Sequence, residues 1–94
     1  MKINITKREP GYIELDLSGE GHTLLNLLQS SLLEDKNVEM AGYSKPHPLM
    51  DRSRLFLKLK KGDDLLETIK KASDHADGRL DEFLGEFEKS LSEL

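Results

Sequence analysis

Two spacings of apolar residues alternate along the chain. Ile3 and Ile5 alternate with Lys2, Asn4 and Thr6, and Ile13, Leu15 and Leu17 alternate with Tyr12, Glu14 and Asp16. An apolar side chain at every second position marks a strand with one buried face. Pro10-Gly11 between the two runs supplies a turn, so the pair reads as a hairpin. After Ser18-Gly19 the spacing changes, and a leucine-rich segment predicts a helix from about His22 to Leu33, closed by the polar stretch Asp35 to Asn37. Val38, Met40 and Gly42 return to period two as a short third strand. Leu55, Leu57 and Leu59 form a fourth, after a loop from Ser44 to Ser53 that carries Pro46 and Pro48. Lys61-Gly62 ends that strand, Asp63 or Asp64 can cap the next helix, and helical spacing then runs to Leu94. The order is ββαββα. It predicts an α+β fold, residues 1–94 as a single domain, with two helices on one face of a small sheet and the C-terminal helix long.

Both helices ask for more cover than one sheet can give. Leu24, Leu25, Leu27, Leu28, Leu32 and Leu33 spread over roughly 240° of a helical wheel, more than twice the stripe of a one-sided surface helix. In the last helix Leu65, Ile69, Ala72, Ala76, Leu80, Phe83, Leu84, Phe87, Leu91 and Leu94 hold one stripe about 120° wide. If continuous, its roughly 30 residues make a rod about 45 Å long, against a compact chain about 32 Å across. Phe83, Phe87 and Leu91 are then expected to overshoot the domain and to need a second chain as cover. Gly78 is the place where a kink would shorten the rod. Asp in place of Leu28 or Phe83 is expected to break the pairing and to leave the lone chain soluble.

Composition narrows the chemistry. The 94 residues contain no Cys, which removes disulfides, thiolate metal sites and thiol nucleophiles and fits a reducing compartment, the cytoplasm. The N-terminus lacks the unbroken apolar stretch of a signal peptide, and no run approaches membrane-spanning length. The net charge of −4 is too acidic for a general coat of nucleic acid, and the acid is uneven, +2 over residues 1–62 and −6 over residues 63–94. Gly19-Glu20-Gly21 leads into a helix but lacks the Gly-Lys-Ser/Thr of a phosphate loop. His22, His47 and His75 have no spacing that makes a metal set, and no nucleophile elbow supports a hydrolase. Arg52, Arg54, Lys58, Lys60 and Lys61 surround Phe56, yet SRLFLKL has one aromatic and no glycine where an RNA-recognition strand needs more. No catalytic, cofactor-binding or metal-binding residue is expected.

Two segments carry a resemblance. GEGHTLLNLLQSSLL, followed about two dozen residues after its His-Thr pair by VEMAGYSKPHPL, is similar to the first helix and following loop of the archaeal RNA polymerase subunit L family. That family is kin to the eleventh subunit of eukaryotic RNA polymerase II and to the bacterial alpha N-terminal dimerisation domain. The resemblance implies a non-catalytic assembly subunit that forms a heterodimer with the RNA polymerase D subunit, the pair then seeding the large catalytic subunits that hold the metals and add nucleotides. It places His22, Thr23, Leu24, Asn26, Leu27 and Leu28 in the helix motif and Tyr43, Pro46, His47, Pro48 and Leu49 in the loop motif. With the apolar stripes, the expected partner surface is His22, Thr23, Leu24, Leu25, Asn26, Leu27, Leu28, Leu32, Leu80, Phe83, Leu84, Phe87 and Leu91. Leu25 stands where the family usually has a small residue and adds apolar area to that surface. A free-standing homodimer or nucleic-acid-binding module is the alternative, and affinity falling steeply with salt would mark the latter.

Overall fold

The computed structural model describes residues 2–19, 22–45 and 52–93. Four strands, β1 (Lys2–Glu9), β2 (Tyr12–Ser18), β3 (Val38–Ser44) and β4 (Arg52–Leu59), form one antiparallel sheet in the order β1-β2-β4-β3. The hairpin between β1 and β2 closes at Gly11, whose φ of 72° lies in the left-handed region; a Cβ there would meet the Gly62 carbonyl oxygen at 2.8 Å. Thr6 is an extra residue in β1 opposite β2, and Glu39 is one in β3 opposite β4.

The expected alternation decides which face is buried. Ile13, Leu15 and Leu17 of β2 and Leu55, Leu57 and Leu59 of β4 share one core with the helices. These are α1 (His22–Leu33), α2 (Leu65–His75) and α3 (Asp81–Ser92). α1 lies against β3 and α2, and α3 lies against β1 and α2, so all three cover one face. Asp64 caps α2, its carboxylate accepting from the Glu67 N–H at 3.1 Å. Asp63 has another task, since its Oδ1 accepts from the Gly11 N–H at 2.7 Å.

The α+β class, the succession ββαββ along the chain and the first helix are as the sequence predicts. The long C-terminal helix is interrupted. α2 ends in a Schellman turn, with the Asp77 N–H donating to the Asp74 carbonyl (3.2 Å) and the Gly78 N–H to that of Ser73 (3.1 Å). Asp77 (φ 55°) and Gly78 (φ 79°) are both left-handed, which reverses the chain and lays α3 back on β1. The molecule measures 36 × 28 × 22 Å, so the projecting rod expected from the sequence is absent in this form.

Candidate partner interface

α1 stands out by what it lacks. Its twelve residues, HTLLNLLQSSLL, carry no Asp, Glu, Lys or Arg, in a chain where 34% of residues are charged. Leu25, Leu28 and Leu32 are 0 to 1% exposed and fill the core. Around them Leu24, Leu27 and Gln29 are half-buried, while Thr23, Asn26, Ser30 and Leu33 are exposed. Leu33, at 51%, is the largest exposed apolar side chain on the helix. The outward side is therefore neutral and partly apolar, as the centre of a protein interface is, where charge is depleted. The surface is described only from Thr23 onward; the side chain of His22, the first residue of α1, lies outside the described set.

The breadth of apolar residues on α1 predicts cover on two sides, and the fold supplies part of it from within. Leu25, Leu28 and Leu32 meet the sheet and α2, not open surface, so the extra bulk of Leu25 goes into the core. Leu24 and Leu27 pack at its margin. Tyr43, on the helix-facing side of β3, donates its hydroxyl to Asn26 Oδ1 at 2.7 Å. That bond ties the two sequence motifs together across α1 and β3. Pro46, His47, Pro48 and Leu49 of the loop motif lie outside the described residues.

The last-helix part of the expected surface is placed differently. Leu80, Phe83 and Phe87 are 0% exposed, and the two rings stack with centroids 6.0 Å apart. Leu84 and Leu91 are half-buried. The physical reason is the turn at Asp77-Gly78, which brings the apolar stripe of α3 onto the sheet instead of beyond it. Asp at Leu28 or Phe83 would thus break the lone chain's own core, so neither substitution isolates pairing.

The opposite face of the sheet is a set of paired charges. Asp16, 5% exposed, sits between two arginines, with Arg54 Nε at 3.2 Å from Oδ1 and Arg52 Nε at 3.8 Å from Oδ2. Lys58 Nζ reaches Glu39 Oε2 at 3.1 Å. Phe56 lies over Gly42, where a Cβ would come within 2.8 Å of its Cζ, so one side of the ring is occupied by the chain itself. At one end of this face a cleft of about 420 Å³ is lined by Lys2, Asn4, Asp16, Arg52, Lys89 and Glu93 among others, cations and carboxylates mixed. Tyr12 donates to Glu14 Oε1 at 2.6 Å, and its phenol is pushed up to about 12, first by that bond, then by burial and the charges of Glu14 and Glu9. Among the described residues no three or more His, Asp and Glu gather as a metal set, and no helix is long and apolar enough to cross a membrane.

Residues 12–86, from the second strand into the last helix, match the family described as the RNA polymerase Rpb3/Rpb11 dimerisation domain. The chain belongs to that family. Among its relatives, the DNA-directed RNA polymerase subunit Rpo11 of Methanothrix thermoacetophila is 40% identical over 91 residues, covering 97% of this chain and 99% of that protein. The Rpo11 of Archaeoglobus fulgidus is 42% identical over 74 residues, 79% of this chain and 85% of the relative. A crystal structure of DNA-directed RNA polymerase subunit L from Thermoplasma acidophilum superposes with a TM-score of 0.70 over 98% of this chain and 90% of that one; at 23% identity it speaks for the fold. The resemblance read from the two motifs is thereby confirmed.

Leu33, named from the sequence only for the breadth of apolar residues on α1, and Leu66 both lie outside the expected set of partner-facing residues. Leu33 is exposed on α1 and Leu66 is half-buried on α2. For Leu33 the signal in the sequence is the uncharged run of α1, a composition typical of interface centres.

Proposed function

We propose that this chain is a non-catalytic assembly subunit of a cytoplasmic DNA-directed RNA polymerase. It acts as one domain over residues 1–94 and pairs with the polymerase's D subunit before the large catalytic subunits join. The observation that carries this reading is the charge-free outer side of α1, in a chain of a family named for dimerisation. Leu24, Leu27 and Leu33 present apolar area there, Thr23 and Asn26 present neutral polar groups, and Leu66, Leu84 and Leu91 extend the apolar margin onto the other helices. A partner helix laid on this side buries apolar surface without stranding a charge in the contact.

The test is co-expression with the D subunit of the same genome, with size-exclusion chromatography and light scattering on the pair and on this chain alone. A one-to-one complex is expected. Leu27→Glu with Leu33→Glu should weaken it about thirtyfold or more, while the circular dichroism of the lone chain stays unchanged. No complex with the wild-type chain would defeat the subunit reading. Undiminished pairing of the double variant would move the interface off α1.

A further inference from the structure

Pattern and conformation disagree in the last two helices. Leu65, Ile69, Ala72, Ala76, Leu80 and Phe83 fall on one side of a single uninterrupted helix, yet the chain reverses between the fourth and fifth of them. A sequence that called for two separate helices would have no need to keep its apolar residues in phase through the turn. No proline lies anywhere from 65 to 92. The turn holds a non-glycine residue, Asp77, at φ 55°, and α3 starts at Leu80 without a side-chain cap. Its local support is the Schellman bonds and the Ser73 hydroxyl, which donates to Asp81 Oδ1 at 2.7 Å. Tertiary contact supplies the rest: Ser90 Oγ donates to the Ile3 carbonyl at 3.2 Å, and Phe83 and Phe87 are sealed at 0% exposure.

We propose that α3 is a mask over the second half of the pairing surface. The hinge at Asp77-Gly78 opens, α2 and α3 join as one straight helix, and the apolar side that α3 covers in the lone chain is taken by an amphipathic helix of the partner subunit. The occupant follows from what sits there already, since a surface that fits one amphipathic helix in cis suits another in trans. A straight helix over 65–92 would be about 42 Å long, beyond the 36 Å length of the closed molecule. Opening without cover would leave Phe83 and Phe87 in water, which couples opening to the partner's arrival. Only the open fraction is competent to pair on this surface, so closure lowers the apparent affinity by that fraction. The mask rests on pairing with the D subunit as proposed above.

The chain has no Cys, so an engineered pair can form only the intended cross-link. Ile3→Cys with Ser90→Cys ties α3 to β1. Oxidised, this variant should bind the D subunit about tenfold or more weakly than after reduction, and the reduced form, which lacks the Ser90 hydroxyl bond to the Ile3 carbonyl, should bind at least as tightly as the wild type. Equal binding in both states would overturn the mask, because α3 would then stay closed in the pair. Gly78→Ala works in the opposite sense: φ +79° disfavours a side chain, and the new Cβ would lie 3.2 Å from Asp81 Oδ2 in the closed form. It should tighten pairing and raise the helical circular dichroism signal. A second readout needs no partner: spin labels at Lys70 and Glu88, both exposed, should gain a minor longer-distance population in Gly78→Ala, because the strained turn raises the open fraction that the uncovered rings otherwise keep small, and no such population would count against the hinge even if wild-type pairing with the D subunit had failed.

Discussion

The sheet with α1 and the pair α2–α3 are held by different means. In the first, residues far apart in sequence are locked by strand registers that admit no sliding, since a one-residue slip would turn Leu15 and Leu57 outward. In the second, two helices are joined by a hydrogen-bonded turn and sealed by apolar contact with α2 and β1. The first region can move only by unfolding. The second has a conformational alternative that keeps every helical hydrogen bond, so its closed form is a matter of packing and turn preference.

Phe83→Ala puts the heaviest strain on this contrast. It removes a fully buried ring from the α3 contact and should cost about 3–5 kcal/mol of the stability of that contact. Hydrogen exchange should accelerate first over residues 81–92 while the amides of β2 and β4 stay protected; a uniform loss of protection would make the molecule one cooperative unit. Gly42→Ala probes the sheet instead. Its Cβ would collide with Phe56 at 2.8 Å, and because that ring is only half-buried and can tip outward, about 1–2 kcal/mol is expected. In a Phe56→Ala background that cost should vanish, as chemical denaturation of the four-member cycle would reveal.

Asn37→Ala is expected to cost about 1 kcal/mol. The Asn37 side chain donates to the Lys61 carbonyl at 2.8 Å and accepts from the Lys61 N–H at 3.1 Å, stapling the start of β3 to the turn before α2. The smallest effect is on alkaline stability. Tyr12 is held near 12 in the folded chain against an ordinary 10.0. Below pH 10 both states are protonated and the contribution is present in full. Above it the unfolded chain releases the proton first, so stability falls as pH rises toward 12. Denaturation midpoints of wild type and Tyr12→Phe should therefore converge over that window; parallel curves would mean that the bond to Glu14 adds nothing.

The same contrast explains what could be read from the residues. Strands and α1 were legible because each carries its own period and punctuation: Pro10-Gly11, Ser18-Gly19, Lys61-Gly62. The break in the last helix was visible only as Gly78, a weak signal, because the turn is stabilised by Ser73 reaching Asp81 and by β1, which periodicity does not encode. For the candidate interface, the two motifs named Asn26 and Tyr43 separately, and their contact emerges only when β3 is laid against α1. The apolar stripes did not separate core from surface. Leu28 and Leu27 are adjacent and chemically identical, yet one is fully buried and the other half-open, a distinction set by which side of α1 meets β3 and α2.

One end of the sheet gathers chain crossings at residues 59 to 63. The Leu59 N–H meets the Gly11 carbonyl at 2.8 Å, the Lys60 N–H meets the Asn37 carbonyl at 2.8 Å, and Asp63 takes the Gly11 N–H. α2 thus leaves a fixed socket, and the segment past Asp77 is a lever on a stationary post. With 12 residues in α3, the arm is about 18 Å long. A rotation of a single backbone joint at its base would carry the far end of the chain through a wide arc without loosening one strand.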